Sequence, residues 1–325
     1  MEIAPGIHRI ACPFGDRVVY CHLILGDDRA VLVDTGTASA PDSSLFPYME
    51  EIGLSPSDLD LVFITHSDFD HQGGNDIVRR AAPNALFAAH RLDAPWIESA
   101  QALIQGRYSQ FEARHGIGYG DAGKAGIAQD CLSETPMDWH LQGGERYRVG
   151  PGYISFIHTP GHTWGHTAVL DERSGTLIAG EAALHTSILG LDGKPAMPPT
   201  YCYIATYQAT LARLAGLPIE TYSPAHWPVQ RGADVRTFLA DSLSYCCETE
   251  ARLLDTLRRS DHPMTLREII REMNESLGVW PRSAAQDLAY PLAGHLTWLV
   301  ERGLVTETRA SDGLSAYSAA ANGRS

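Results

Sequence analysis

The feature that most constrains this chain is a cluster of polar residues directly after an apolar run. Residues 59–65 read LDLVFIT, which predicts a strand buried on both faces. Two glycines, Gly73 and Gly74, follow the cluster and permit a close backbone turn before a helix. The pattern therefore indicates layered α and β structure in which a buried strand ends in a tight loop. The loop carries four side chains able to bind a metal ion: His66, Asp68, Asp70 and His71.

Three further candidate ligands lie downstream, in turn-rich segments that also follow predicted strands. His162 lies in HTPGHTWGH, Glu181 in LIAGEAAL and His226 in SPAHWP. Imidazole and carboxylate groups are ligands for zinc, iron and manganese. With the first cluster they make seven potential ligands, enough for two metal ions that share a carboxylate and a water. Two other histidines, His166 and His185, lie near candidate ligands in the sequence, and for these we favour a structural role.

This ordered set resembles the metallo-β-lactamase-fold hydrolase superfamily over most of residues 1–230. The HxHxDH motif of that family stands here as HSDFDH, with Asp68 in place of the second histidine. The resemblance implies an α/β fold, an αββα sandwich, and a support role for Asp34, which would orient a ligand. It also implies one ligand set for each metal, with Glu181 at the position of the bridging aspartate: His66, Asp68 and His162 for the first metal, and Asp70, His71 and His226 for the second.

The expected cofactor is a pair of divalent metal ions, with zinc as the first choice. Two departures from the family pattern bear on this choice. Asp68 adds a negative charge and a hard oxygen ligand, which shifts the preference toward iron or manganese. Glu181 is one methylene longer than aspartate and could change the distance between the metals.

Two segments differ in composition from the β-rich pattern around them. Residues 92–138 are predicted to form an insertion or lid; its second part, GIGYGDAGKAGIAQD (residues 116–130), is interpreted as a glycine-rich loop. From about residue 240 the chain becomes helical. Three helical segments and a hairpin around Asp312 resemble a winged helix-turn-helix. We therefore predict a catalytic domain at 1–240 and a small winged-helix domain at 241–325.

Charge argues against nucleic acid as a partner. The 325-residue chain has a net charge of −14, and residues 246–310 contain eight arginines against ten acidic residues. A protein that binds phosphates should carry a basic face. The C-terminal segment is therefore interpreted as a cover for the active-site mouth or as a subunit contact in a homodimer.

The remaining composition predicts a cytoplasmic protein that does not associate with a membrane. The start of the chain lacks the pattern of an export signal, and no apolar run has the length of a membrane span. The six cysteines are scattered, which is typical of reduced thiols in a cytoplasm.

The predicted function is a metal-dependent hydrolase acting on a small ester, thioester or lactone through a metal-bridging hydroxide. Asp70 is the predicted catalytic residue, which would hold a metal and orient the hydroxide. Three alternatives remain open: a di-iron protein reducing oxygen or nitric oxide, related to flavodiiron proteins by the carboxylate at Asp68; a nuclease of the same fold; and a binding protein with a degenerate site. Substrate-pocket candidates are Trp96, Arg107, Tyr108, Phe111, Arg114, Tyr201 and Tyr203.

Overall fold

A computed structural model describes residues 1–131 and 134–320, and these form four layers: helices, sheet, sheet, helices. The predicted insertion and the predicted C-terminal domain each include a few positions outside the described residues. Apolar side chains of both sheets meet in one core, for example Phe63 and Phe156, whose ring centroids are 4.7 Å apart. The fold is therefore the αββα sandwich that the resemblance implies. Among the described residues, no helix is both long and apolar enough to cross a membrane.

The first sheet has seven strands that follow one another in chain order. The strand Leu61–Ile64 is fully buried, as its apolar run predicts, and pairs in parallel with strands on both sides. Parallel neighbours place their carboxyl ends at one edge of the sheet, and ligand sites form there. The strands are Glu2–Ala4, Ile7–Phe14, Arg17–Leu25, Ala30–Val33, Leu61–Ile64, Leu86–His90 and Trp139–Leu141.

The second sheet has six strands, with Thr176–Gly180 paired in parallel to Thr221–Pro224. Its outer face packs on the helices Ile204–Ala215 and Ala233–Arg259 through buried residues such as Tyr207 and Phe238. A short hairpin, Ile188–Leu189 with Pro195–Met197, lies outside both sheets. The strands are Arg146–Val149, Gly152–His158, Thr167–Asp171, Thr176–Gly180, Thr221–Pro224 and Gln230–Arg231.

The helices on the first sheet and in the insertion are short. One prediction here is wrong: residues 120–130 form a helix, Gly120–Asp130, rather than a glycine-rich loop. The alanines of this segment favour a helix. Ile127 is buried against Leu103 and Tyr108, and this burial offsets the low helix propensity of the glycines in the segment. The helical segments are Pro41–Leu45, Phe46–Glu51, Pro56–Asp58, Phe69–Gln72, Asn75–Ala81, Ala94–Ile97, Ala100–Leu103, Ile104–Tyr108, Glu112–His115 and Gly120–Asp130.

The C-terminal segment is joined to the sandwich by one continuous helix, Ala233–Arg259, which runs through the predicted boundary at residue 240. Beyond it lie Arg282–Leu288 and two longer helices, Leu266–Leu277 and Ala289–Glu301. Three antiparallel strands complete the segment; the hairpin lies where the sequence places it, and the assignment as a winged helix stays a prediction. The strands are Met264–Thr265, Val305–Arg309 and Ser315–Ala319.

Candidate metal centre

The polar cluster lies where two parallel strands end. The strand Ala30–Val33 is followed by Asp34, which has a φ of +63°, a conformation that is strained for a residue with a side chain. Its carboxylate accepts hydrogen bonds from the backbone N–H and the hydroxyl of Thr65, at 2.7 and 2.9 Å. Asp34 thereby fixes the start of the loop that carries the candidate ligands.

The structure brings all seven predicted ligands together in two buried groups. The first contains His66, Asp68, His162 and Glu181, and the second contains Asp70, His71 and His226. In each group, the ligand atoms lie within 4.8 Å of one another. Apart from Glu181, which the resemblance implies as a bridging residue and which falls in the first group, these are the two sets that the resemblance implies; their roles as ligands stay a prediction.

Glu181 lies between the two groups. Its Oε2 is 3.1 Å from His66 Nε2 and 2.6 Å from His162 Nε2. Its Oε1 is 3.3 Å from His226 Nε2, in the second group. Each carboxylate oxygen thus faces one group, which is the arrangement of a bridging ligand. The longer side chain therefore fits the position that the family usually fills with aspartate.

In each of the four candidate ligand histidines, the ring nitrogen that faces away from the centre, Nδ1, lies within hydrogen-bonding distance of an oxygen atom. His71 Nδ1 donates to Asp34 at 2.7 Å, and His226 Nδ1 donates to the Val18 carbonyl at 2.8 Å. His162 Nδ1 is 3.1 Å from the Thr200 carbonyl. His66 Nδ1 is 3.0 Å from the Thr65 hydroxyl, whose own hydrogen goes to Asp34. In the neutral form that binds a metal, an imidazole carries only one hydrogen, and these partners would keep that hydrogen on Nδ1 and leave the Nε2 lone pair for the metal.

Two of the inner nitrogens have no protein partner that would explain their burial. Nε2 of His66 and Nε2 of His71 are buried without a hydrogen-bond partner among the described residues. Such orphaned atoms are rare in native proteins and require an explanation. Imidazole nitrogens and carboxylate oxygens converging on two points are a donor set for divalent metal ions. The residues present therefore fit a two-metal centre.

The electrostatics also favour cations. Burial lowers the pKa of His71, but the carboxylates of Asp34 and Asp70 outweigh it and raise that pKa to about 10. Burial alone would raise the pKa of Glu181, yet the imidazoles around it hold that pKa well below its usual range. Glu181 is therefore ionised, and these carboxylates give the pocket a negative potential that a metal ion would neutralise.

Arg107 has a place in this centre that sequence reasoning missed, since its residue type suggests only a substrate contact. It comes from the helical turn Ile104–Tyr108 of the insertion, and 2% of its side chain is exposed. Its Nε and Nη2 donate to the two oxygens of Asp68, at 2.8 and 3.0 Å. The carboxylate that distinguishes this chain from the family pattern is therefore half of a buried ion pair.

Two more buried residues position the ligand loops. His166 Nε2 accepts from the backbone N–H of Glu181 at 2.9 Å, so the structural role favoured for His166 includes holding Glu181. Asp93, which no sequence signal marks, accepts from the backbone N–H groups of Ser67 and Gly165 at 3.1 and 2.7 Å. Asp93 therefore joins the loop of His66 to the loop of His162. His185, also assigned a structural role, packs on Trp227 and Phe238 instead.

A cavity of about 310 Å³ opens onto the centre. Of the predicted pocket residues, Arg107 and Tyr108 line it, whereas Phe111 packs on Tyr290 and Tyr201 stacks on Tyr207. The C-terminal segment contributes Asp287 and Tyr290 to one wall of the cavity, and its interpretation as a cover for the mouth of the site stays a prediction. Lining residues include Arg17, Asp68, Phe69, Asp70, Arg107, Tyr108, Tyr119, Ile127, Glu181, Ile188, Met197, His226, Asp287 and Tyr290.

Comparison with known families decides the relationship. Residues 14–226 match the model of the Metallo-beta-lactamase superfamily, and this span includes all seven candidate ligands. The chain belongs to the metallo-beta-lactamase superfamily. The match covers more than half of the chain.

The relatives agree with this assignment. The fold is similar to that of the metallo-beta-lactamase family protein TTHA1429 from Thermus thermophilus, with a TM-score of 0.74 and 22% identity over 98% of this chain and 100% of that one. The chain is 22% identical over 176 residues to the probable metallo-hydrolase YqgX of Bacillus subtilis (strain 168), covering 54% of this chain and 71% of the relative. It is 25% identical over 187 residues to an N-acyl homoserine lactonase of Bacillus sp, and this match covers 50% of this chain and 62% of the relative. The chain is a metal-dependent hydrolase.

Proposed function

We propose that this hydrolase cleaves a small ester, thioester or lactone at a centre built for two metal ions. The observation that carries the proposal is the convergence of the Nε2 atoms of His66, His162 and His226 on the two oxygens of Glu181. Two bound divalent cations would supply Lewis acidity and an activated water, which suffice for transfer of an acyl group to water. The name of the lactonase relative supports an acyl substrate of this class.

The residues of the chain would divide the work between the metals and the substrate. Asp70 lines the cavity, and its Oδ2 is 3.5 Å from His226 Nε2. It can hold a cation with one oxygen and accept or return a proton with the other, which suits the release of a leaving alcohol or thiol. Phe69, Tyr108 and Ile188 would surround an apolar acyl part and exclude water from it.

The cavity also separates the proposal from its alternatives. A volume of about 310 Å³ suits a small molecule better than a polynucleotide, which disfavours a nuclease. The di-iron alternative depends on the extra negative charge of Asp68, and Arg107 offsets that charge. Seven converging side chains argue against a degenerate site.

A substrate panel with defined metal forms tests the proposal. Metal-free protein would be loaded with zinc, manganese or iron and assayed with chromogenic esters, thioesters and lactones. We expect turnover in at least one form, lost with a chelator and restored by metal. The matched variants are His71→Ala, in the second group, and His262→Ala, an exposed histidine of the C-terminal segment. Inactivity in all three forms, with oxygen or nitric oxide consumed when a reductant is added, would overturn the proposal.

A further inference from the structure

The ion pair between Asp68 and Arg107 is the least expected feature of the metal centre. Asp68 is 13% exposed and Arg107 is 2% exposed at the side chain. A fork of two N–H groups on two carboxylate oxygens is the strongest geometry for such a pair. A buried pair is costly to break, because the remaining charge has no partner. The pair is therefore a fixed part of the site.

Geometry separates two roles for Arg107, since a guanidinium could support Asp68 as a ligand or could itself occupy the first metal position. Asp68 Oδ2 is 2.9 Å from His162 Nε2 and 3.8 Å from His66 Nε2, so it stays among the ligand atoms of the first group. Arg107 Nη2 is also near, at 3.1 Å from His162 Nε2. However, Nη1 binds the His162 carbonyl at 3.2 Å, which ties the guanidinium to the wall of the site.

The wall behind Arg107 is built by the C-terminal segment. Arg107 Cζ is 4.5 Å from the centre of the Tyr290 ring, and the Tyr290 hydroxyl donates to the Arg107 carbonyl at 3.4 Å. An aromatic face attracts a guanidinium and limits its movement. Arg107 is therefore held from behind by Tyr290 and presents its fork to Asp68.

We propose that Arg107 is a positioning residue that holds Asp68 as a ligand of the first metal and cancels its charge. The pair is neutral overall, so the first group carries the single negative charge of Glu181 rather than two. A ligand carboxylate that is fixed and partly neutralised by an outer partner is tuned by that partner. The pair would thus act as a neutral oxygen ligand in place of an imidazole. The inference concerns the metal centre on which the proposed function rests, and not the substrate.

The pairing makes a prediction about substitutions at Asp68. Asp68→His alone would place a neutral ligand beside a buried guanidinium that has lost its partner. The first site would then lose affinity, rather than gain the zinc preference that the family pattern alone suggests. Asp68→His with Arg107→Met removes both charges and should recover binding.

The experiment measures metal affinity and stoichiometry by titrating metal-free protein with cobalt(II), whose visible spectrum reports each site. We expect two ions per parent chain. Arg107→Met should weaken the first site by about 10- to 100-fold and leave the second unchanged. Arg107→Lys keeps the charge without the fork, so its affinity for metal at the first site should lie between those of the parent and of Arg107→Met. Arg302→Met is the matched control, because Arg302 pairs with Glu250 in the C-terminal segment and not with the centre.

Each result either supports or overturns the inference. Weaker metal binding at the first site in Arg107→Met, with recovery in the double variant relative to Asp68→His, supports it. Higher metal affinity in Arg107→Met would show that Arg107 competes with the metal and would overturn it, as would equal affinities in parent and variant. A parent chain that binds no metal would overturn the proposed function as well, which distinguishes the two failures. If Arg107→Met does not fold, Arg107→Lys and the double variant give the same comparison.

Discussion

Replacing Asp287 with asparagine should stabilise the metal-free protein, and should do so more at high pH than at low pH. Asp287 is 9% exposed and lies in the cavity wall built by the C-terminal segment. Its Oδ1 accepts a hydrogen bond from the Tyr119 hydroxyl at 2.6 Å. Burial raises the pKa of Asp287 to about 6, against the opposing effects of this hydrogen bond and of the charges of Arg17 and Arg107. Asparagine keeps an oxygen for Tyr119 and cannot ionise.

The size of the effect follows from the two pKa values. The folded pKa of about 6 lies above the value of about 3.9 in an unfolded chain, so the folded state binds the proton more tightly. Stability is therefore lost as the pH rises through this interval. At about 1.4 kcal/mol for each pKa unit, the full cost is about 3 kcal/mol above both values. Near pH 4.5 most of this cost is absent. The difference in free energy of unfolding between Asp287→Asn and the parent should therefore grow by about 2 kcal/mol between pH 4.5 and pH 8.

The assay is urea unfolding of both proteins in the presence of a chelator, at pH 4.5 and at pH 8. Asp121→Asn, at an exposed position, corrects for removing one negative charge from an acidic chain. The reasoning predicts that the gap between Asp287→Asn and the parent widens with pH after this correction. A gap of equal size at both pH values, or a variant less stable than the parent at pH 8, would refute it.

Three further predictions concern the ligands, their support and the partner. His71→Ala should lose metal from the second group and abolish turnover, measured by elemental analysis and the substrate assay; full metal content would contradict the assignment. Asp93→Ala should lower the free energy of unfolding by about 2–4 kcal/mol, because it leaves three buried donors without their acceptor, and unchanged urea midpoints would count against this. The C-terminal segment should not bind DNA; tight binding in a mobility-shift titration at low salt, where electrostatic attraction is strongest, would reverse that interpretation.

The positions of the candidate ligands could be predicted because these residues lie at strand ends, where a short sequence pattern fixes position. His66 follows the fully buried strand Leu61–Ile64, and Glu181 follows Thr176–Gly180. The first strand belongs to the seven-stranded sheet and the second to the six-stranded sheet, and the packing of the two sheets brings these strand ends together. The resemblance implies only that Asp34 orients a ligand; the structure shows that the residue it contacts is His71, which follows the adjacent parallel strand.

Other features of the site and of the fold could not be predicted, because they depend on contacts between segments that are distant in the sequence. Arg107 meets Asp68 only because a turn of the insertion is packed between the sandwich and Tyr290. The helix Gly120–Asp130 contains three glycines, which are common in loops, and packing of Ile127 decides its conformation. The boundary near residue 240 marks a change in composition, but one helix serves two cores, through Phe238 at one end and Leu257 at the other.

The central claim is that the seven residues hold two metal ions. Crystals of the metal-loaded protein, measured at the absorption edge of the metal, test it directly through an anomalous difference map. We predict two peaks on opposite sides of the Glu181 carboxylate. One should contact His66, Asp68 and His162, and the other Asp70, His71 and His226. A single peak, or a peak whose ligands lie outside these two groups, would contradict the claim.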